Sequence, residues 1–229
     1  MKTAKRDALE DDEPQRVAEA TKRMNLNHIV ITAVARDDLK DGGAEHFQKT
    51  IEAVRAENPK IIIEVPVPDV NDKDWALNLV MEARPHIFNH NIETVERLTP
   101  LVRSRAQYQR SLTVLKKAKE SVDGKDATKR GLMLGLGERE EEVLQAMDDL
   151  LEHEVTVLTM GQYLRPSARH LPVVEYITPE RFDDLREIAL EKGFRHVASG
   201  PLVRSSYHAG DFRPEGDVLD AIEADLAAR

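Results

Sequence analysis

The chain has 229 residues, 41% of them apolar, 33% charged and only 4% aromatic, which is enough apolar sequence for one substantial α/β domain or two small ones. Its net charge of −9 argues against a general attraction to nucleic acid, and no apolar run approaches the roughly 20 residues that span a bilayer. It contains no cysteine, which excludes disulfides, thiolate nucleophiles and thiolate metal sites in the chain as written. The N-terminal MKTAKRDALEDDEPQ lacks the apolar core of a secretory signal, so the cytoplasm is the expected location.

Helical and strand-like segments then alternate. Glu13 to Met24 shows helical spacing and is followed by a strand from His28 to Val34. A helix over Ala44 to Ala56 precedes the strand Ile61 to Val65, and a helix over Lys73 to Ala83 precedes the strand His86 to Asn89. Helix Ala106 to Ser121, strand Lys129 to Leu134, helix Glu138 to Leu151, strand Val155 to Met160, helix Pro179 to Lys192 and strand Arg195 to Ser199 complete the series. The strands lack period-2 alternation, as expected where helices cover one face and a packed interior fills the other. The pattern predicts a parallel sheet, wound open or closed into a barrel. Thr178 before Pro179 and Asp72 before Trp75 are expected helix caps. One domain over residues 1–210 is the simplest organisation, with a mobile C-terminal tail over 211–229.

Polar and glycine clusters follow almost every predicted strand. They are Asp37, Asp38, Asp41, Gly42 and Gly43; Pro68 and Asp69; Asn89, His90, Asn91 and Glu93; Gly135, Gly137 and Glu138; Gln162, Tyr163, Arg165 and Ser167; and Gly200 with Arg204 to Tyr207. In parallel α/β architectures the C-terminal ends of the strands converge on one face, where active sites are built. Any single cluster has a plainer explanation, since strand-to-helix loops need turn and cap residues anyway. Six clusters together point to a site-bearing face.

Individually the groups differ in weight. Gly131 to Glu138 ends a strand and opens a helix, so its glycines permit close backbone approach and Glu138 stands at a helix N-terminus. Asp41-Gly42-Gly43 presents backbone donors and a carboxylate, or simply a tight turn. Asn89-His90-Asn91 sets three polar side chains behind apolar Ile87-Phe88, which is costly unless each other, water or a ligand satisfies them. His86 and His90 are four apart, but on a strand that spacing does not converge on a metal. Arg165 and Arg204 each offer a fork for carboxylate or phosphate, or a structural ion pair.

Taken in order, several segments resemble lipoyl synthases, members of the radical S-adenosylmethionine superfamily. The matching stretches are Thr32 to Ala44, Glu64 to Asp69, Phe88 to Val95, Thr128 to Glu138, Gly161 to Pro166, His170 to Val173 and the C-terminal signature Gly200 to Ala209. The resemblance implies a partial parallel (β/α)6 radical-SAM barrel missing its first strand. It implies S-adenosylmethionine as cofactor, with Asp41, Gly42 and Gly43 at its methionyl end and Gly135, Gly137 and Glu138 on its nucleoside side. Asn89, Asn91 and Arg204 would line the cavity for cofactor and octanoyl-lysine arm, with Glu93 and Gln162 also on the cofactor. The family holds two 4Fe-4S clusters, the auxiliary one ligated by a serine that corresponds to Ser206, or alternatively Ser205. The implied reaction cleaves S-adenosylmethionine to a radical that abstracts hydrogen from carbons 6 and 8 of a protein-bound octanoyl chain, the auxiliary cluster donating sulfur. Expected partners are octanoylated lipoyl-carrier domains of 2-oxoacid dehydrogenases or the glycine cleavage H protein, and an electron donor; neither nucleic acid nor membrane is expected.

The chain departs from the family in two ways. The family's cysteine triplet lies just before a stretch like Lys2 to Arg6, so Met1 is expected to be an internal methionine or false start, with cysteines upstream. Arg130 stands where a small polar residue is usual. The alternative reading is a noncatalytic pseudoenzyme barrel that binds S-adenosylmethionine or a lipoyl-carrier domain. A phosphate-binding aldolase-like barrel would need a strand-end lysine, and Lys129 lies too early in its strand.

Overall fold

A computed structural model describes residues 8–33, 36, 38–66, 74–103, 107–120, 127–207, 209–211, 214, 219, 220, 222 and 224. Asp37, Pro68, Asp69 and Asp72, which the sequence singles out, lie outside the described residues. Six strands, β1 (His28–Val30), β2 (Ile62–Pro66), β3 (Ile87–Asn89), β4 (Ala127–Leu134), β5 (Val157–Gln162) and β6 (His196–Gly200), form one sheet. Every pairing is parallel and the order is β1-β2-β3-β4-β5-β6, with β1 and β6 at the edges. Parallel neighbours need crossovers. Helices supply them: α1 (Glu13–Arg23) leads into the sheet, followed by α2 (Ala44–Glu57), α3 (Asp74–Glu82), α4 (Thr99–Val102), α5 (Tyr108–Glu120), α6 (Glu140–Glu152) and α7 (Pro179–Lys192). The result is the expected α/β half-barrel, with six strands among the described residues.

The outer face of the sheet is dry. Ile63, Val65, Phe88, Leu132, Leu134, Leu158 and Met160 join Phe47, Ile51, Leu77, Met81, Leu112, Met147, Leu150 and Phe182 from the helices in one apolar cluster. Because successive strand residues alternate faces, Ile62 and Glu64 then point to the other side of β2. There Ile62 and Ile87 form a second, smaller cluster with Leu219. Leu219 and the buried Ile222 belong to the segment expected to be a mobile tail. Among the described residues of that segment, Leu219 packs on Ile62 and Ile87, and Ile222 is 1% exposed.

Local chemistry explains where elements start and stop. Thr178 caps α7 as expected, its Oγ1 accepting from Arg181 N at 3.2 Å with Pro179 in the first turn. Helix α6 begins two residues later than the sequence predicts, because Glu138 is committed to the turn before it. Its carboxylate accepts from Leu136 N at 2.9 Å and from Gly135 N, while Glu142 reaches back to Arg139 N at 2.8 Å. β1 is shorter than predicted, although Ile31 N still donates to Glu64 O at 2.9 Å. The short α4, starting at Thr99-Pro100, is an element that the helical spacing did not disclose.

Candidate functional site

The face of the sheet opposite the main apolar core carries a buried polar network that draws on four strands. Glu64 of β2 is 0% exposed, and its Oε1 lies 3.1 Å from Lys129 Nζ of β4. Lys129 Nζ also donates to Glu64 Oε2 at 3.2 Å, and Asn89 Nδ2 of β3 donates to Oε1 at 3.0 Å. His28 Nε2 of β1 stands 3.4 Å from Oε2, an ion-pair distance without hydrogen-bond geometry, since neither ring nitrogen makes a hydrogen bond. Burial pushes the Glu64 carboxyl upward, but His28, Lys129 and Asn89 together outweigh it and hold the pKa below the usual range. Asn89 is 1% exposed and its Oδ1 has no donor.

Toward the C-terminal ends of the strands, Asn91, Gly131 and Thr159 come together. A Cβ on Gly131 would stand 2.7 Å from Asn91 Oδ1 and 3.3 Å from Thr159 Oγ1. Thr159 Oγ1 donates to Arg130 O at 3.1 Å, and Asn91 Oδ1 is buried without a donor. Arg103 Nη1 holds the Asn91 carbonyl at 2.8 Å. Glu93, at φ +67°, is stitched to β4 through its N–H to Gly131 O (3.2 Å) and its carbonyl from Met133 N (2.8 Å). Burial raises the Glu93 pKa, with Arg103, Asn91 and Arg130 opposing.

The remaining predicted residues occupy the loops above. Asp41 Oδ1 accepts from Gly43 N at 3.1 Å and Oδ2 from Glu45 N at 2.9 Å, so the carboxylate ties the turn that opens α2. Gly42 (φ +66°) and Gly43 (φ +92°) take the left-handed backbone this turn requires. Gln162 donates from Nε2 to Tyr163 O and Glu175 O, both at 3.1 Å, and accepts from Ile177 N at 2.9 Å, so its amide is a strut for the 175–177 segment. Gly135, at φ +102°, has no room for a side chain against that strut, and Gly137 lies under Val174. Arg165 spends its fork on His170 O (2.9 Å) and Ala168 O (2.5 Å) within its own loop. Over β5, the Val203 carbonyl covers Gly161; the exposed Arg204 donates from Nη1 to Val203 O at 2.6 Å, followed by half-buried Ser205 and exposed Ser206.

The structure therefore brings Asn89 and Asn91 to one wall, beside Glu64, Lys129 and Thr159, which the sequence reading did not select for the site. One signal was visible: Glu64 is a lone charge inside the apolar run Ile61 to Val65.

Two cofactors implied by the family can be tested against these residues. The buried, donorless oxygens of Asn89 and Asn91 and the side-chain-free surface of Gly131 fit a ligand bearing N–H or O–H groups, as S-adenosylmethionine does. An iron–sulfur cluster does not fit. The chain has no cysteine, and among the described residues no group of three or more His, Asp or Glu is placed to hold a metal ion. Nor, among the described residues, is any helix long and apolar enough to cross a membrane.

Residues 2–150 match the family model described as the Radical SAM superfamily. The chain is 54% identical over 211 residues to the lipoyl synthase of Geobacillus kaustophilus, an alignment that covers 92% of this chain and 70% of the relative. Among solved structures, methylornithine synthase (PylB) superposes with a TM-score of 0.62 at 13% identity, covering 99% of this chain and 74% of the other. Streptococcus suis SuiB bound to S-adenosylmethionine gives 0.67 at 9% identity, covering 96% and 49%. At such identities the two structures speak for the fold alone, whereas the 54% identity speaks for the family. The chain belongs to the lipoyl synthase family, within the radical SAM superfamily.

Proposed function

We propose that this chain carries the cofactor- and substrate-binding part of a lipoyl synthase, the enzyme class that inserts two sulfurs at carbons 6 and 8 of a protein-bound octanoyl group. The observation that carries the reading is the 54% identity over 211 residues, joined to a wall whose two asparagine oxygens are buried without donors. In this reading S-adenosylmethionine lies along the C-terminal face of the sheet. Asp41, Gly42 and Gly43 take its methionyl end, Gly135, Gly137 and Glu138 its nucleoside side, and Asn89, Asn91, Glu93, Gln162 and Arg204 complete the cavity that also receives the octanoyl-lysine arm. The octanoylated partner is a lipoyl-carrier domain of a 2-oxoacid dehydrogenase or the glycine cleavage H protein, met in the cytoplasm together with an electron donor.

The family's two 4Fe-4S clusters need cysteines that these residues lack. Ser206, or Ser205 beside it, would supply at most one ligand to a cluster held by other residues. Catalysis therefore requires cysteine-bearing sequence joined to this chain.

Anaerobic iron–sulfur reconstitution tests the reading. The 229-residue polypeptide is expected to take up no cluster. A chimera that adds the unmatched part of the Geobacillus kaustophilus lipoyl synthase is expected to bind two and to convert an octanoylated carrier domain to the lipoyl form. The missing cysteines also favour a second reading, a noncatalytic barrel that binds S-adenosylmethionine or a carrier domain. A chimera that loads its clusters yet forms no lipoyl group would favour that alternative.

A further inference from the structure

We infer that Glu64 and Lys129 are a buried positioning pair that locks the side-chain amide of Asn89 in one orientation, so that Asn89 meets its ligand only as a hydrogen-bond acceptor. The inference rests on the reading of Asn89 as a cofactor contact and adds to it what fixes that residue.

Three observations support it. First, Glu64 and Lys129 are 0% and 3% exposed, and their 3.1 Å contact spans β2 to β4 across β3, the strand that bears Asn89. A buried ion pair is a weak source of stability, because desolvation offsets most of the attraction, and apolar residues of similar volume often serve as well. Its presence on the wall of a site is better explained by what it orients. Second, the amide of Asn89 has one donor end and one acceptor end, and an ionised carboxylate can only accept. With Glu64 Oε1 taking the Nδ2 hydrogen at 3.0 Å, a flipped amide would set two oxygens against each other, so the flip is forbidden as long as Glu64 is charged. Lys129 keeps it charged, which agrees with the lowered pKa of a carboxyl that burial alone would raise. Third, the end of the amide so fixed, Oδ1, is buried and has no donor among the described residues. An unsatisfied acceptor at a held angle is suited to a ligand hydroxyl or amine and rejects a ligand acceptor.

The chemistry selected is that of a nucleoside or amino-acid donor group, and S-adenosylmethionine is the probe. The test uses the 229-residue chain, wild type and the variants Glu64→Gln and Glu64→Leu/Lys129→Met, with two readouts. One is hydrogen exchange of the Asn89 side-chain amide by NMR; the other is calorimetric titration with S-adenosylmethionine. In the wild type the Asn89 amide protons are expected to exchange at least tenfold more slowly than those of the exposed Asn25. In both variants that protection should fall about tenfold and the Kd for S-adenosylmethionine should rise about tenfold. The double variant should keep the wild-type Tm within a few degrees, so that weaker binding is not a loss of folding. Unchanged Asn89 exchange and unchanged Kd in the double variant would overturn the positioning role. Failure of the wild type to bind S-adenosylmethionine would instead overturn Asn89 as a cofactor contact; Asn89 protection that depends on Glu64 would then still support the lock itself.

Discussion

Gly161 and Val203 meet backbone to backbone: the carbonyl oxygen of Val203 fills the space in which any Cβ on residue 161 would stand. The end of β5 thereby sets the height at which the chain continues from Val203 into Arg204 to Ser206. Gly161→Ala should displace that segment and cost about 1–3 kcal/mol, the usual penalty of overpacking. Urea unfolding reads the stability, and trypsin cleavage after the exposed Arg204 should accelerate. Wild-type values of both would show that the contact does not hold the loop.

Gln162 makes a similar link by side chain. Its amide donates to two backbone carbonyls and accepts from Ile177 N, fastening the 175–177 segment to the end of β5. Gln162→Leu keeps the volume and removes all three bonds, so a loss of about 2 kcal/mol is expected from the backbone groups left unpaired. Gln162→Glu should be intermediate, because it can still accept from Ile177 N. Equal stabilities for the Leu variant and the wild type would exclude the strut.

Arg130 is the least comfortable residue of the outer core. It is fully buried, donates from Nη2 to Ser111 O, and leaves Nε and Nη1 without partners. Burial, with Arg103 adding to it, drives its pKa well below that of an ordinary guanidinium. Replacement by Met fills the space without a charge and should raise stability by about 1 kcal/mol or more. For a chain of this size that is a rise of about 2–4 °C in Tm; a fall would mean that Glu93 needs the Arg130 charge.

His86 predicts a pH dependence. Its Nδ1 accepts from Ile63 N at 3.0 Å, and burial, reinforced by the charges of Arg55 and His28, pushes its pKa down to about 4. In the unfolded chain it titrates near 6.5, so the unfolded state binds more protons between these values. The contribution of His86 is complete above pH 6.5 and is lost as the pH falls toward 4, with a limiting slope of about 1.4 kcal/mol per pH unit. His86→Asn keeps an acceptor for Ile63 N and does not titrate. Its stability curve should be flatter than the wild type over that window, and parallel curves would refute the assignment.

The alternation of helices and strands was legible from periodicity because each outer strand face and each helix stripe must be apolar to form one core. Boundaries were less so. Glu138 looked like the first residue of α6 by its charge, yet it is held by Gly135 N and Leu136 N, a competition that spacing does not reveal. Nor does spacing reveal that the Gln162 amide bonds to backbone from 175 to 177, a meeting of distant segments.

By itself the sequence determined the class of fold, the family and the absence of any thiolate ligand, since these follow from residue type, order and period. Only the tertiary structure decided which polar residues share a wall. Glu64, Asn89 and Lys129 lie on three strands separated by crossover helices, and parallel register brings an amide and an ammonium each within about 3 Å of one carboxylate. The same is true of Leu219, which lies far from Ile62 and Ile87 in sequence and packs against both.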